Sequence, residues 1–113
     1  MNSSERARQF DLVTSVDGDT TRIRLTGELD IASADVLSGA LESTQIDAGA
    51  TLAVDMTDVG FMDSTGLRLL IAANRRAIEG DYKLVIVTGE SPAKRVLELT
   101  RMDEHMQVVT TLA

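Results

Sequence analysis

The sequence contains no cysteine and no tryptophan, and it has a single proline and a single histidine. The absence of cysteine excludes a disulfide framework and every thiolate metal site. One imidazole and scattered carboxylates give no spacing typical of metal ligands, so we expect neither a metal nor another cofactor. Aromatic residues make up only 3% of the chain, which leaves few side chains on which nucleic-acid bases could stack.

Positive charge is also scarce. Lysine and arginine number 11 against 18 aspartate and glutamate, which gives a net charge of -7. An acidic surface repels phosphate backbones, so nucleic acid is not an expected partner. No apolar run approaches the roughly 18 residues needed to span a bilayer. Residues 1–9 are polar and lack the apolar stretch of an export signal. We therefore expect a cytoplasmic protein with no membrane partner.

The length and composition indicate one globular domain. The chain has 113 residues, of which 43% are hydrophobic, and single domains most often run to roughly 100–150 residues. Residues 1–9 are predicted to form a flexible tail, and residues 10–113 a single domain.

The first half of the domain predicts a hairpin. Two strands are expected, over residues 10–16 and about 21–27, around the turn residues Asp17-Gly18-Asp19. In the second strand Ile23 and Leu25 alternate with arginines, which is typical of a strand with one buried face.

The rest of the chain alternates helices with strands. Ser33 is the expected N-cap of the first helix, and Gly80 is expected to end the second in a left-handed conformation. In the second helix, Leu67, Leu70, Ile71 and Ile78 are expected on the buried face. The pattern predicts an α/β fold, in which a mixed β-sheet opened by an antiparallel hairpin carries about three to four packed helices. The predicted helices cover residues 33–43, 64–79 and 92–100, and the predicted strands cover residues 51–56, 84–87 and 107–109.

The stretch from Asp55 to Leu67 leaves the carboxyl end of a central strand and enters a helix, which is where ligands and partners commonly act in open α/β sheets. Ser64 is expected at the start of that helix, beside backbone N–H groups without helical partners. A phosphate there would add about -1.5 to -2 charges at neutral pH, and the helix N-terminus would partly accommodate it. Alternatively, Asp63 and Ser64 only cap the helix.

Two motifs resemble a known family. Residues 61–67, Phe-Met-Asp-Ser-Thr-Gly-Leu, resemble the phosphorylation-site segment of the anti-sigma factor antagonists of the STAS domain family. Residues 27–30, Gly-Glu-Leu-Asp, fall where that family carries its Gly-Glu-Leu-Asp segment, and residues 91–100 resemble its last helix. The resemblance extends from about residue 10 to residue 109.

The resemblance implies a partner-switching regulator and not an enzyme. An anti-sigma factor that is also a serine kinase would phosphorylate Ser64. The unphosphorylated protein would bind this kinase and free a sigma factor, and a serine phosphatase would reset the switch. Met62 is expected to be exposed beside the serine. The resemblance places on or beside the docking face Asp30, Met62, Asp63, Thr65, Gly66 and Arg68. An alternative is a non-phosphorylated scaffold subunit of a lipid-transport or sensor complex.

Two enzymatic or signalling classes fit the sequence less well. A serine hydrolase needs Gly-x-Ser-x-Gly, but Met62 occupies the position of the first glycine, and His105 is the only imidazole available as a base. A response-regulator receiver would use Asp55 as its phosphoacceptor, but the opening hairpin does not match the regular alternation of that fold. Asp55 and Asp58 are instead expected to be solvated residues at a strand end and a turn.

Overall fold

The computed structural model describes residues 10–112, so the tail predicted for residues 1–9 lies outside the described part of the chain. The described residues form a five-stranded sheet in the order β1-β2-β3-β4-β5 with three α-helices. The strands are β1 (Asp11–Asp17), β2 (Thr20–Leu29), β3 (Thr51–Met62), β4 (Lys83–Val87) and β5 (Gln107–Val109). The helices are α1 (Ala34–Ser43), α2 (Ser64–Gly80) and α3 (Pro92–Leu99), and a short 3-10 turn spans Met102–Glu104.

The mixed sheet confirms the predicted fold class. β1 and β2 pair antiparallel as a hairpin, and the remaining neighbours pair parallel. Gly18, with a φ of 60°, lies in the tight turn between Asp17 and Thr20, which face each other across the hairpin. A left-handed φ of this kind favours glycine, which has no Cβ. The parallel strands need crossovers, and the helices supply them.

All three helices contribute to one hydrophobic core on one face of the sheet. Side chains of successive strand residues point to opposite faces, so only alternate positions of each strand enter this core. On the opposite face Ala53, Val85 and Val87 form a second, smaller cluster with Val109 and Leu112. The strands supply to the main core Ile23, Leu25, Leu29, Leu52, Val54, Met56, Val59, Met62, Leu84 and Ile86, and the helices supply Leu37, Leu41, Leu70, Ala73, Ala77, Ala93 and Leu97.

β3 is longer than the sequence predicts. The core side chains of β3 recur every second residue as far as Met56, and then every third residue at Val59 and Met62. The pairing with β2 shifts twice along this stretch, and each time β3 carries one extra residue, as at a β-bulge. The prediction that the strand ends at Met56 is therefore wrong, because the bulges break the alternation that marks a strand.

Asp55 supports the first of these bulges. One of its carboxylate oxygens accepts hydrogen bonds from the backbone N–H of Thr57 at 3.0 Å and from its hydroxyl at 2.6 Å. Asp55 is only 5% exposed, and Arg22 on β2 lies 3.8 Å from its other oxygen. Asp58, also within β3, accepts a hydrogen bond from Arg24 at 3.1 Å. The expectation that Asp55 is a solvated strand-end residue is therefore wrong, because it is buried within β3. Asp58 is exposed as expected, but it lies within β3 and not in a turn.

The bulged part of β3 projects beyond its neighbour. β4 ends at Val87 opposite Asp55, whereas the pairing with β2 continues to Met62. The ends of β2 and β3 thus form a two-stranded extension of the sheet, and α2 starts at its tip. In the described part of the chain, no helix is long and apolar enough to cross a membrane.

The end of α2 also departs from the sequence prediction. Asp81, and not Gly80, adopts the left-handed conformation, with a φ of 59°. A Cβ on Gly80 would lie 2.8 Å from a ring carbon of Tyr82, so the glycine leaves room for that ring. Ile78 is 73% exposed and does not belong to the buried face, which is continued by Ala77.

A substitution of Gly66, in the first turn of α2, tests how tightly the helix packs on the sheet. A Cβ on Gly66 would lie 2.7 Å from Cγ of Met62 and 2.8 Å from Cγ of Leu29. We expect Gly66→Ala to lower the free energy of unfolding by about 1–3 kcal/mol, because buried side chains must move. Urea denaturation measures the change.

Gly39 in α1 is the matched control. It is exposed, and a Cβ there would meet no heavy atom within 4 Å beyond its own stretch of helix. Gly39→Ala is expected to raise stability by about 0.5–1 kcal/mol, because alanine favours a helix more than glycine does. An equal increase in the free energy of unfolding for Gly66→Ala and Gly39→Ala would contradict the tight packing at Gly66.

Candidate partner-binding and phosphorylation site

The candidate site lies at the tip of the two-stranded extension. Leu29 and Met62 are paired at the ends of β2 and β3, and the backbone N–H of Asp63 donates to the carbonyl oxygen of Leu29 at 3.3 Å. The loop that follows β2 and the first turn of α2 therefore leave the sheet side by side. This arrangement brings the two sequence motifs, residues 27–30 and 61–67, to one end of the molecule.

Asp63 caps α2, and Ser64 is the first helical residue. The carboxylate of Asp63 accepts a hydrogen bond from the backbone N–H of Thr65 at 2.9 Å, and its backbone carbonyl accepts from Leu67 at 3.2 Å. Ser64 is exposed, and its hydroxyl has no hydrogen-bond partner within residues 10–112. The sequence predicts that backbone N–H groups at this helix N-terminus partly accommodate a phosphate. In the structure the carboxylate of Asp63 already accepts from one of these groups, that of Thr65.

The loop after β2 is closed by Ser33. Its hydroxyl donates to the carbonyl oxygen of Glu28 at 2.7 Å and accepts from the backbone N–H of Asp30 at 3.0 Å. Ser33 occupies the N-cap position of α1 but makes no side-chain hydrogen bond to the helix. The prediction of a capping hydroxyl is wrong, because this side chain is only 5% exposed and turns back into the loop.

Asp30 is the carboxylate of this loop. Its Oδ1 accepts from the backbone N–H groups of Ala32 at 3.0 Å and Ser33 at 3.3 Å. Local hydrogen bonds of this kind are typical of aspartate in a turn. The carboxylate remains partly exposed, and its second oxygen makes no hydrogen bond with the described residues. The loop thus fixes the direction of the carboxylate and leaves one oxygen open.

The structure places the predicted site residues at different depths. Ser64 and Arg68 are exposed, whereas Asp30, Asp63 and Thr65 are half-buried. Met62 is 4% exposed, so the expectation of an exposed methionine is wrong: it continues the buried face of β3 after the second bulge. Gly66 is also buried, and it lies against Met62 and Leu29. The predicted site therefore consists of side chains at the surface and of two residues packed beneath them.

Two apolar side chains at this end of the molecule were not singled out from the sequence. Ile31 is 81% exposed in the loop after β2, and Phe61 is 44% exposed at the end of β3. Phe61 lies opposite Glu28 in the strand pairing, so both motifs contribute to this surface. A large aliphatic residue directly after residues 27–30, in the loop before α1, is the signal that would have identified Ile31.

Charge is distributed unevenly around Ser64. Carboxylates lie at Glu28, Asp30 and Asp63, and Arg68 is the basic side chain closest to Ser64 along the chain. Nearer the centre of the sheet, the hydrogen bond from Arg24 to Asp58 raises the pKa of the Arg24 guanidinium. Within residues 10–112 there is no cluster of three or more histidine, cysteine, aspartate or glutamate residues that could hold a metal ion.

Comparison with known sequences identifies the family. A family model described as "Mlab, STAS domain" matches residues 12–110. The anti-sigma-B factor antagonist of Listeria monocytogenes is 30% identical over 92 residues, which cover 81% of each chain. The anti-sigma-B factor antagonist of Staphylococcus aureus is 28% identical over 86 residues, covering 76% of this chain and 80% of that protein.

Solved structures show the same fold. An anti-sigma factor antagonist from Mycobacterium paratuberculosis superposes with a TM-score of 0.78 at 24% identity, over 93% of this chain and 89% of that one. The Bacillus cell fate determinant SpoIIAA in its phosphorylated form gives a TM-score of 0.58 at 26% identity, over 90% and 92% of the two chains. The chain therefore belongs to the STAS domain family, and its relatives in sequence and structure are anti-sigma factor antagonists.

Proposed function

We propose that this protein is an anti-sigma factor antagonist controlled by phosphorylation of Ser64. In the unphosphorylated state it binds an anti-sigma factor that is also a serine kinase, and the sigma factor is released. Phosphorylation ends the complex, and a serine phosphatase restores the binding form. The observation that carries the proposal is the exposed Ser64 hydroxyl at the start of α2, beside the loop after β2, in a chain whose relatives are anti-sigma factor antagonists.

The hydroxyl is suited to modification by another protein. Ser64 is exposed, and no described side chain forms a hydrogen bond with it that would activate it as a nucleophile. Asp63 caps the helix whether or not Ser64 is modified, since its carboxylate bonds to Thr65. A phosphate therefore changes the surface charge without removing a contact that holds the fold together. The protein acts as a binding module rather than an enzyme, and the control of a sigma factor places it in the cytoplasm.

The surface around Ser64 explains how one phosphate would end a complex. The exposed apolar side chains Ile31 and Phe61 provide area that a partner can bury. A phosphate at the same surface carries nearly two negative charges, which lose their hydration when a partner covers them. Asp30, Asp63, Thr65 and Arg68 are proposed to contact the partner directly. Met62 and Gly66 are proposed to support this surface from beneath, because both are buried.

The alternative is a STAS scaffold subunit that is never phosphorylated, as in a lipid-transport or sensor complex. It would use the same fold and the same exposed surface, but no kinase would modify Ser64. A measurement of mass therefore distinguishes the two functions directly.

Incubation with the cognate anti-sigma factor kinase and ATP is expected to add one phosphate to the wild-type protein. Peptide mapping by mass spectrometry should locate it on Ser64, and Ser64→Ala should gain no mass. Thr65→Ala is the matched control for the site of modification and should still gain one phosphate, located on Ser64, because Ser64 is the more exposed of the two hydroxyl residues. Phosphate on Thr65 or on an aspartate, or no phosphate at all, would contradict the proposal.

Asp30→Asn separates the structural role of Asp30 in the loop after β2 from its proposed contact with the kinase. Asparagine keeps the side-chain oxygen that accepts from Ala32 and Ser33, so the melting temperature should hardly change. The variant loses the negative charge at the open oxygen. We expect weaker kinase binding in a calorimetric titration, by roughly three- to tenfold, as for other charge-assisted contacts. Wild-type affinity in a stable variant would restrict Asp30 to its structural role.

Ile31→Ser tests the apolar surface. The side chain is 81% exposed in the free protein, so its removal should leave the free energy of unfolding within about 0.5 kcal/mol of the wild type. Burial of an isoleucine by a partner contributes roughly 1.5–3 kcal/mol, so the affinity for the kinase should fall at least tenfold.

Ile78→Ser is the control for this variant. Ile78 is 73% exposed near the far end of α2, fourteen residues after Ser64, at which the helix begins. Its replacement should leave kinase affinity unchanged. A loss of affinity that is the same in both variants would show that the surface around Ser64 is not specifically recognised.

A further inference from the structure

We propose that Arg68 binds the phosphate on Ser64 once it is formed, so that phosphorylation withdraws a positive charge from the docking surface while it adds a negative one. This inference rests on the proposed phosphorylation of Ser64, and it assigns to Arg68 a function in the phosphorylated state.

The helix brings the two side chains together. Ser64 is the first residue of α2, and Arg68 lies four residues later in the same helix. Residues at this spacing are neighbours on one helix face, with about 5–6 Å between their Cβ atoms. An anion placed four residues before a cation is the more favourable order along a helix. Both side chains are exposed, so neither has to leave the core to meet the other.

Arg68 has no competing partner in the described part of the chain. The ion pairs within residues 10–112 use Arg22, Arg24, Lys94 and Arg101, and Arg68 takes part in none of them. The positions three and four residues away on its helix are Ser64, Thr65, Ile71 and Ala72, none of which is charged. A phosphate on Ser64 would be the first anion within one helical turn of this guanidinium.

The other site that could attract the phosphate, the N-terminus of α2, is already partly occupied. A helix N-terminus favours anions, but the carboxylate of Asp63 accepts the backbone N–H of Thr65 there. Its negative charge also repels a phosphate on the adjacent residue. Both effects direct the phosphate along the helix, away from Asp63 and towards Arg68. A guanidinium suits this role because its planar N–H groups can donate two hydrogen bonds to one phosphate.

The consequence is a switch with two changes of charge. In the unphosphorylated protein the Arg68 guanidinium is available to an acidic group of a partner. In the phosphorylated protein it is held by the phosphate. A partner that had used Arg68 would thus lose this contact in addition to meeting a new anion.

The proposal can be tested without any kinase. The full chain is prepared with phosphoserine incorporated at position 64, and the phosphate is titrated by ³¹P NMR. The second ionisation of a phosphoserine has a pKa of about 6. We expect Arg68→Gln to raise the pKa of the phosphate by about 0.3 units relative to the chain with Arg68, because loss of a nearby cation disfavours the dianion. The difference should shrink in 1 M salt, which screens exposed charges.

Arg75→Gln is the matched control. Arg75 is exposed on the same helix, seven residues beyond Arg68, and it also takes part in no ion pair with the described residues. Its removal changes the net charge equally but should leave the pKa of the phosphate unaltered. Glutamine is about as favourable in a helix as arginine, so neither variant should lose stability.

An unchanged pKa in Arg68→Gln would overturn the proposal, and so would equal shifts in the two variants, which would indicate only a long-range effect of net charge. These results do not depend on whether a kinase modifies Ser64. Conversely, failure of a kinase to phosphorylate the protein would contradict the proposed function and leave the titration unaffected.

Discussion

The close contact between the first turn of α2 and the ends of β2 and β3 determines the shape of the candidate site. Gly66 lies against Leu29 and Met62 with no room for a Cβ, and the backbone of Asp63 bonds to that of Leu29. This contact fixes Ser64 beside the loop that carries Asp30. Met62 lies opposite Leu29 because the two bulges add two residues to β3 relative to β2 after Asp55. The serine is therefore presented by a rigid, packed element rather than by a free loop.

A rigid support suits a switch that acts through charge. The cap of α2 depends on Asp63, and the loop after β2 is closed by Ser33. Neither contact involves the hydroxyl of Ser64, so its modification can alter what the surface binds while the fold is kept. The same separation explains why the buried Met62 and the exposed Arg68 can belong to one site with different roles.

The sequence was sufficient to predict those elements in which local pattern and burial agree. The hairpin follows from the alternation around Ile23, and β4 follows from an unbroken aliphatic run that is buried on both faces. The resemblance implied that residues of both motifs share the docking face, but the parallel pairing of β2 with β3, which brings the motifs together, was not predicted from the pattern. The end of β3 was not predictable in this way, since each bulge moves the buried position by one residue. Met62 was expected at the surface because of its place beside Ser64, whereas β3 continues to Met62 and buries it. The cap at Asp63 depends on side-chain geometry that spacing does not determine.

The most direct test of the proposed docking surface is a titration of the ¹⁵N-labelled protein with its cognate anti-sigma factor, followed by amide chemical shifts. The proposal predicts that the largest changes occur in residues 28–36 and 61–68, at the tip of the two-stranded extension, and that they are absent when Ser64 carries a phosphate. Changes centred instead on α3 and β5, or equal changes with and without the phosphate, would contradict it.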